Sequence, residues 1–513
     1  MTITNIVFYF ALTLGSILIF KTSRKRIIRG GLPLPPGPIG LPVIGNVFGI
    51  NIVAPWLTYE EWAKRYGDIV YANLLGQDCI IINSERVAQA LLEQRSSVYS
   101  DRPYIATNKL FGMDFNTGLL PYGPQWRLHR KMFHMALSKE SAMAYKSMQL
   151  EKVYQLIQNL LSTPQDYPLH LYTCSSAIIM AITYGYDVVP QNDRFVSKVL
   201  RSMSLFLEAL TPERAALHGA FPVLAHIPSW LPGGRYKLRA GECCSLVQDM
   251  LNDPVDYVKG CMATETAKKS LVYGLLRDAI GNNLGYDEDT VKAVATTAFL
   301  GGAETSFATF IVFILAMVLY PEVQTKAQEE IDRVVGTNRL PDFQDRTSLP
   351  YVEAVYLETL RWKPVSPMGL PHMTTTSDVY EGMYIPKNAL VFVNMWAISQ
   401  DERRYPEPRI FNPERFMTPS GDLSTEVPVY HAFGFGRRYC PGKYVSAQSV
   451  WALIVSILAT LRIEKAKDDM GNEIEFIPEF TGGLSSHPKP FPCSFKSRSK
   501  NAEQLIYARK DKE

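Results

Sequence analysis

The fold is decided by one stretch of sequence, FGFGRRYCPG at residues 433–442. Gly434 and Gly436 let the backbone adopt left-handed conformations and approach a flat ligand closely, because no Cβ stands in the way. Cys440 follows them, and a helix-compatible apolar pattern begins shortly afterwards at Ser446. A sulfur beside a helix N-terminus is favoured as thiolate by the helix dipole and the free N–H groups. The stretch therefore predicts a loop that presents a cysteine ligand to a metal.

The end of this stretch also predicts where the next helix begins. Pro441 suits an early helical position, where its missing N–H costs nothing, and Gly442 leaves the first turn free to lie against a planar group. A lone cysteine is more often a buried packing residue than a ligand. The glycine, arginine and proline neighbours of Cys440 are what favour the ligand interpretation.

Length and composition describe a large globular chain. It has 513 residues, 47% of them hydrophobic, which is enough for two or three ordinary domains or one large one. The net charge of +3, from 53 basic and 50 acidic side chains, gives no indication of a nucleic-acid partner. The 7 cysteines are scattered and odd in number, so no disulfide framework is indicated and a reducing compartment is favoured.

The N-terminus carries the features of a membrane anchor. Residues 2–20 contain no charged side chain, and a basic cluster follows them from Lys21 to Arg29. This order predicts a transmembrane helix over residues 1–20, with the body of the protein in the cytosol. A cleaved signal peptide is the alternative, but its basic residues would precede the apolar run and a small-residue cleavage site would follow it. Residues 21–48, basic and then proline-rich, are predicted to be a linker.

A second apolar segment, residues 287–319, is compatible with a helix but carries two adjacent glycines, Gly301 and Gly302. Two glycines within a helix cost about 1 kcal/mol each relative to alanine, so they call for a reason such as close approach to a ring. Thr305 can bond back to the carbonyl group of residue 301, which loosens the helix, and Glu304 supplies an acid beside it. Taken alone, the segment is better interpreted as a kinked core helix with an incidental threonine.

Two pairs of side chains share a helix face by their spacing. On spacing alone, Trp126 and Arg130 belong to a solvated basic face. Glu358 and Arg361 lie on a helix predicted over residues 349–363, and a buried ion pair there needs a further partner.

The stretch at residues 433–442 fills every position of Phe-x-x-Gly-x-Arg-x-Cys-x-Gly, the haem-binding signature of the cytochrome P450 family, and the chain resembles the fungal microsomal type of that family. The resemblance implies a mainly α fold with small β-sheets (α+β), preceded by one N-terminal transmembrane helix. It also implies that residues 49–513 form the haem-binding catalytic domain.

The resemblance implies haem b, iron protoporphyrin IX, with Cys440 as the axial thiolate and metal ligand. Arg438 would pair with a haem propionate, a geometry that suits guanidinium and carboxylate. Trp126 and Arg130 match the family's Trp-x-x-x-Arg motif, and His372 matches a propionate-contacting position of many fungal members. The remaining implied cofactor-binding residues are Gly302, Phe433, Gly436 and Gly442.

Three further motifs carry implied roles. The segment around Gly302 resembles the oxygen-activation motif, which implies that Thr305 orders the proton donors to dioxygen and that Glu304 relays protons. Glu358, Arg361 and Arg415 would form a structural network, the last of them in a second arginine motif. A turn at residues 481–484 is implied to reach over the haem into the substrate pocket.

These residues and the resemblance predict a monooxygenase that inserts one oxygen atom of O2 into a lipophilic small molecule, such as a terpenoid, steroid or polycyclic aromatic, in fungal secondary metabolism. No dinucleotide-binding fingerprint is found, so electrons are expected from NADPH-cytochrome P450 reductase. A candidate docking patch for this partner comprises those basic residues that no propionate occupies among Arg127, Arg130, Lys131, Arg437 and Lys443. We expect a single-pass protein of the endoplasmic reticulum membrane, in contact with lipid, with its catalytic domain facing the cytosol.

Other functions remain open on the sequence. A broad-specificity xenobiotic-detoxifying oxidase would carry the same motifs. A haem-thiolate isomerase or dehydratase would need no oxygen activation, against which Glu304 and Thr305 argue. A haem sensor or carrier would show no turnover with reductase, and a membrane-anchored interaction protein would hold no haem.

Overall fold

The computed structural model describes residue 27 and residues 29–508, apart from 43, 191, 210–226, 228–229, 232–233, 235, 282–285 and 425–429. The predicted membrane anchor at residues 1–20 lies outside the described residues. Helices dominate and the sheets are small, so the predicted α+β class is confirmed. In chain order the described α-helices are α1 (Pro55–Tyr66), α2 (Glu85–Ala88), α3 (Ser96–Tyr99), α4 (Ala106–Leu110), α5 (Pro124–Leu137), α6 (Lys139–Met143), α7 (Lys146–Ser162), α8 (Tyr167–Tyr184), α9 (Arg194–Ala209), α10 (Tyr236–Ala263), α11 (Leu271–Gly281), α12 (Glu288–Leu319), α13 (Pro321–Val334), α14 (Pro350–Trp362), α15 (Met395–Ser399), α16 (Lys443–Thr460) and α17 (Lys500–Tyr507).

The strands of the described chain form three small sheets. They are β1 (Ile69–Leu74), β2 (Gln77–Ile82), β3 (His372–Met373), β4 (Asp378–Tyr380), β5 (Met383–Ile385), β6 (Leu390–Val393), β7 (Leu461–Lys465) and β8 (Cys493–Ser497). The largest sheet has the order β1-β2-β6-β3, with β2 and β6 parallel and the other pairs antiparallel. Strands β1 and β2 form a hairpin around Gly76, and it is extended by strands from a distant part of the chain.

The centre of the protein is α12, which packs closely against α8 and also contacts α16. Its N-terminus is capped by Asp287, whose side chain accepts a hydrogen bond from the backbone N–H of Thr290 at 2.9 Å. It ends where Pro321 starts the next helix. In the described part of the chain, α12 and α16 are long and apolar enough to cross a membrane, but 72% of the most apolar window of each is buried inside the protein. Both are core helices.

The proline-rich part of the predicted linker packs against the sheet. The backbone N–H of Tyr71 donates to the carbonyl oxygen of Pro36 at 2.9 Å. A Cβ on Gly37 would lie 1.9 Å from the carbonyl oxygen of Tyr71, and one on Gly45 would lie 2.0 Å from that of Asn73. Glycine is needed at both positions because the two backbones approach so closely. This contact fixes the direction in which the chain enters the main domain.

Candidate active site

A cavity of about 460 Å³ lies between α12 and the loop at residues 433–442. Nearly all residues predicted to bind the cofactor or to act in catalysis line it: Trp126, Arg130, Gly302, Glu304, Thr305, His372, Phe433, Arg438, Cys440 and Gly442. Gly436 is the exception and has a different task. With φ of 59°, it lies so close to the preceding part of the chain that a Cβ would be 1.9 Å from the carbonyl oxygen of Leu92. It lets the loop pack tightly rather than lining the cavity.

The loop is closed by its own backbone. The N–H of Cys440 donates to the carbonyl oxygen of Phe433 at 2.8 Å, and Gly434 adopts φ of 79° within the turn. Helix α16 begins at Lys443 with Gly442 as its N-cap, so Pro441 precedes the helix instead of occupying its first turn. The expected helical position of Pro441 is wrong, because Pro441 lies in the turn that joins the Cys440 loop to the helix.

Burial and the neighbouring positive charges act in opposite directions on the pKa of the Cys440 thiol. Burial raises its pKa, whereas the N–H of Gly442 and the charges of Arg130 and Lys443 act to lower it. The effect of burial is the larger one in the protein alone, so the pKa of the Cys440 thiol is raised. The sequence had predicted the reverse, because a helix N-terminus favours the thiolate. A buried thiolate therefore needs a cation at the sulfur, which a bound metal supplies.

One end of the cavity carries buried cationic side chains, so it needs an anion, whereas Cys440 needs a cation. Arg102 donates to the carbonyl oxygens of Gly118 at 2.9 Å, Leu370 at 2.8 Å and Pro371 at 2.7 Å. Arg438 donates to the carbonyl oxygens of Ser100 at 2.8 Å and Leu120 at 2.9 Å. Its Nη1 atom is buried and has no hydrogen-bond partner among the described residues.

These two guanidinium groups carry uncompensated charge. Burial and the charge of Arg438 lower the pKa of Arg102 to about 9. Burial lowers the pKa of Arg438 to about 10, against the opposing influence of Asp101. A buried donor without a partner and two buried like charges are costly, so this end of the cavity is built to receive an anion.

Trp126, Arg130 and His372, which were expected to bind the cofactor, lie at the same end of the cavity. The guanidinium carbon of Arg438 lies 4.5 Å from the ring centre of Trp126, and that of Arg130 lies 5.8 Å from the same ring. Arg130 also donates to the carbonyl oxygen of Tyr439 at 2.8 Å. The Nδ1 atom of His372 lies 2.8 Å from the carbonyl oxygen of Tyr99, so Nδ1 carries the hydrogen and Nε2 is left as an acceptor in the neutral ring. His372 can donate to an anion only as imidazolium, and burial together with Arg102 opposes that charge by lowering its pKa.

The residues present fit a haem. The group combines a metal that takes a thiolate, a planar macrocycle that needs close backbone approach, and two carboxylates at one edge. Cys440, the loop glycines and the cationic end meet these needs in turn. The orphaned Nη1 atom of Arg438 is the observation that tests the fit most directly, because a propionate would satisfy it.

The other wall of the cavity is the middle of α12, which remains helical through both glycines. A Cβ on Gly301 would meet nothing within 4 Å, so this glycine leaves the wall open toward the cavity. A Cβ on Gly302 would lie 2.7 Å from the side chain of Ile179 on α8. The structure explains Gly302 by the tight packing of α8 on α12, although this residue also lines the cavity.

The two candidate catalytic residues lie next to this opening. The hydroxyl of Thr305 donates to the carbonyl oxygen of Gly301 at 2.6 Å, as the spacing predicts. Glu304 receives a hydrogen bond from the Ser485 hydroxyl at 3.5 Å, and its Oε1 atom lies 3.6 Å from Nε2 of His487. Burial raises the pKa of Glu304, while the charge of His487 and the Ser485 hydrogen bond act to lower it. The site thus holds an acid and a hydroxyl side by side.

The Glu358 network lies outside the cavity, in the core. Arg361 donates to the two carboxylate oxygens of Glu358 at 2.6 and 2.7 Å, and both side chains are fully buried. Arg415 adds a contact of 3.2 Å, and the backbone N–H of Asn412 another of 2.8 Å. Arg361 also donates to the carbonyl oxygen of Ser399 at 2.8 Å. The third partner expected for the buried pair is present, together with backbone groups.

Three residues of the site had not been singled out in the sequence: Arg102, Ser485 and His487. Arg102 lies in an aperiodic loop, and its role depends on carbonyl groups more than 260 positions away in the chain, such as Leu370. Leu484 and Ser485 line the cavity, in agreement with the turn expected at residues 481–484. His487 comes near Glu304 only because this turn folds back, which no local spacing indicates.

Comparisons with known proteins agree with this site. A family model described as Cytochrome P450 matches residues 35–495. The cytochrome P450 monooxygenase COX1 of Coprinopsis cinerea is 36% identical over 494 residues, which cover 94% of this chain and 95% of the relative. The monooxygenase claR of Ampulloclitocybe clavipes is 37% identical over 505 residues, 98% of this chain and 93% of the relative. The monooxygenase 98 of Postia placenta is 37% identical over 499 residues, 95% and 94% of the two chains.

The family match extends over most of the chain, and these fungal relatives cover nearly all of it. Enzymes of this family bind haem through a cysteine thiolate, which is the chemistry that Cys440 and the cationic end of the cavity were found to suit. We conclude that the chain belongs to the cytochrome P450 family and is a haem-thiolate monooxygenase.

Proposed function

We propose that the protein inserts one oxygen atom of O2 into a terpenoid, steroid or polycyclic aromatic molecule, as a step in fungal secondary metabolism. The observation that carries the substrate class is the apolar wall of the cavity away from Cys440. Its side chains come from several helices and loops and include Ile178, Met203, Phe206, Leu300, Leu370 and Leu484. A largely apolar cavity with few polar groups suits a lipophilic ligand whose orientation is set by shape.

The roles proposed for the chain's own residues follow from their contacts. Cys440 would hold the iron, and Arg102 and Arg438 would hold the propionates. When bound, haem supplies the activation of dioxygen. Because the Thr305 hydroxyl already donates to Gly301, its oxygen is left to accept a hydrogen bond from a proton donor such as water. Glu304 is the adjacent group that can refill that donor with a proton.

We propose NADPH-cytochrome P450 reductase as the electron donor, docked over the outer face of the Cys440 loop. Arg127, Lys131 and Arg437 are exposed there, and Lys443 is half-buried beside them. Arg127 and Arg437 lie on the Tyr122 ring at 5.5 and 5.3 Å, which brings these two basic groups together. Arg130, which had been included in the patch, instead lines the cavity.

The docking proposal is tested by charge reversal. Lys443→Glu should slow reduction by the reductase, most strongly at low salt, because the interaction is electrostatic. Lys489→Glu, at an exposed residue far along the chain, is the matched control. Equal reduction rates for wild type and Lys443→Glu would contradict the patch.

We further propose that residues 1–20 anchor the protein in the endoplasmic reticulum membrane, with the catalytic domain in the cytosol. The order of an uncharged apolar run and a following basic cluster supports this orientation. Deleting residues 1–20 should move the protein out of the membrane fraction. Retention of the shortened chain in that fraction would show that another surface suffices.

The proposed reaction is tested with the full chain, reductase and NADPH under ¹⁸O2, against terpenoid, steroid and polycyclic aromatic compounds. One ¹⁸O atom per product molecule is expected, from a narrow group of related compounds. Turnover of many unrelated compounds would favour the detoxifying oxidase instead. An isomerised or dehydrated product without ¹⁸O would contradict monooxygenation of these substrates.

A further inference from the structure

The C-terminal turn brings a histidine against the acid of α12. Residues 481–487 form this turn, closed by a hydrogen bond of 2.9 Å from the N–H of Thr481 to the carbonyl oxygen of His487. Nε2 of His487 lies 3.6 Å from Oε1 of Glu304, an ion-pair distance that is too long for a direct hydrogen bond. One water molecule or a small side-chain rotation closes this gap.

The imidazole ring of His487 is held in one orientation. Its Nδ1 atom lies 3.0 Å from the carbonyl oxygen of Pro488, and its backbone N–H donates to the Thr481 hydroxyl at 3.0 Å. The ring also meets the Phe307 ring edge to face, with centres 5.2 Å apart. These contacts determine which nitrogen faces Glu304.

The Pro488 contact also selects the tautomer. A carbonyl oxygen only accepts hydrogen bonds, so Nδ1 must carry a hydrogen in both the neutral and the charged ring. Nε2 is then the atom that gains or loses a proton, and it is the atom that faces Glu304. A proton that passes between the two side chains therefore moves between Nε2 of His487 and Oε1 of Glu304.

The surroundings favour transfer between these two atoms. Burial raises the pKa of Glu304, and the His487 charge and the Ser485 hydrogen bond oppose that shift. From α8, Tyr172 lies close enough for the charge of Glu304 to contribute to raising the phenol's pKa, although burial is the larger cause. The tyrosine stays neutral, so the pair is not neutralised from that side.

Glu304 and His487 also differ in whether they line the cavity. Glu304 and Ser485 line the cavity, whereas His487 does not. The His487 side chain is nonetheless 18% exposed. The Glu304 side chain is 21% exposed, so the two residues differ in what they face: the acid faces the cavity, whereas the exposed part of the histidine is not in the cavity lining.

We propose that His487 is a positioning residue that supplies protons from solvent to Glu304, which rests on the role proposed above for Glu304. In this step the Nε2–H bond breaks as the Oε1–H bond forms. The imidazole then takes a replacement proton from water, so no electron is transferred and the proton count balances.

The first test reads the tautomer directly. ¹⁵N-labelled histidine in the full chain would be observed by NMR in the ferrous carbon monoxide complex, which is diamagnetic, with the His487 signal assigned by its loss in His487→Gln. The chain has 8 histidines, which makes the assignment tractable. Neutral His487 is expected with its hydrogen on Nδ1. A hydrogen on Nε2 would overturn the proposal, whatever the activity of the enzyme.

The second test uses infrared titration of the Glu304 carboxyl group, identified by its loss in Glu304→Gln. His487→Gln keeps a side chain that can donate a hydrogen bond but removes the charge, so the carboxyl group should titrate at higher pH than in wild type. His134→Gln, at an exposed histidine on α5, is the matched control. An unshifted Glu304 titration in His487→Gln would overturn the pairing.

The third test separates supply of protons from structure. His487→Gln should lower product formed per NADPH about tenfold, less than the hundredfold or more that general acid catalysis itself contributes, because His487 acts through Glu304, and the loss should grow with pH. The double variant with Glu304→Gln should be no worse than Glu304→Gln alone, because His487 acts through Glu304. Additive losses would overturn the relay. Wild-type enzyme without any oxygenated product would contradict the proposed function, while the NMR and infrared results would still decide the pairing.

Discussion

The hydroxyl of Thr305 donates to the carbonyl oxygen of Gly301 at 2.6 Å, one turn earlier on α12 and directly at the cavity wall. This bond removes the hydroxyl hydrogen from other uses and leaves the oxygen as an acceptor at the cavity that Cys440 also lines. The α-helix nevertheless remains continuous through this turn. We therefore expect Thr305 to act as a fixed acceptor that orders a proton donor.

We expect Thr305→Ala to keep its haem but to release reducing equivalents as peroxide, since the ordered donor is lost. Product per NADPH should fall by about tenfold or more, as for removal of a general acid–base group. Thr305→Ser should restore much of the coupling, and Thr325→Ala, which removes the same kind of hydroxyl-to-backbone bond in α13, is the control. Full coupling in Thr305→Ala would contradict the assigned role.

Arg102 should control how firmly haem is retained. Its guanidinium group joins three backbone carbonyls to the anion-receiving end of the cavity. Losing a charged hydrogen bond costs about 1.5–3 kcal/mol, so Arg102→Leu should release haem to a scavenger protein roughly ten- to a hundredfold faster. Arg127→Leu, at an exposed position on α5, should release haem at the wild-type rate. Equal rates for Arg102→Leu and wild type would exclude Arg102 as a propionate partner.

The contacts of Glu358 with Arg361 and Arg415 should contribute strongly to the free energy of unfolding. Glu358→Gln leaves Arg361 fully buried without its charge partner, which is expected to cost about 3–5 kcal/mol in the free energy of unfolding. Denaturant titration of the haem-loaded protein measures this loss. Glu479→Gln removes a solvent-exposed pair with Lys489 and should cause no measurable change. A Glu358→Gln variant with wild-type stability would show that the network contributes only geometry.

His431 should make the protein sensitive to acid. Neither of its ring nitrogens has a hydrogen-bond partner among the described residues, and burial, aided by the charges of Arg404 and Arg361, lowers its pKa to about 3. The unfolded chain therefore takes up a proton as the pH falls below about 6.5, while the folded protein does not. Stability is lost progressively from that pH downward, by about 2 kcal/mol at pH 5.

Replacing this histidine by phenylalanine should remove that part of the acid sensitivity. Denaturant midpoints of His431→Phe and wild type would be compared at pH 7.5 and pH 5, with His134→Phe as an exposed control. The variant should lose less stability than wild type between the two pH values. An identical pH dependence would mean that His431 finds a proton-accepting partner in solution.

The parts of the site that were predictable from sequence are those whose residues are close together in the chain. Cys440 and its glycines, and the acid and hydroxyl at Glu304 and Thr305, each occupy a few consecutive positions, so their spacing carries the information. The approach of α8 to Gly302 involves Ile179, which lies in a different part of the chain. The sequence around Gly302 therefore allowed close approach of a ring as the reason for this glycine. It contained no sign that the packing of α8 on α12 requires it.

The parts that were not predictable depend on contacts between distant loops. Arg102 acquires its role from the carbonyl groups of Leu370 and Pro371, and His487 acquires its role from a turn that folds back onto α12. The pairing of β2 with β6 joins segments more than 300 residues apart. Periodicity and capping describe neighbours within an element and contain nothing about such contacts.

The most direct test of the account is the carbon monoxide difference spectrum of the dithionite-reduced protein, with wild type compared with Cys440→Ser. We predict a strongly red-shifted Soret band in wild type and its absence in the variant, because only a thiolate at position 440 supplies the required axial ligand. A red-shifted band in both proteins would place the ligand elsewhere. Its absence from well-folded wild type would remove the haem-thiolate centre and the proposed chemistry with it.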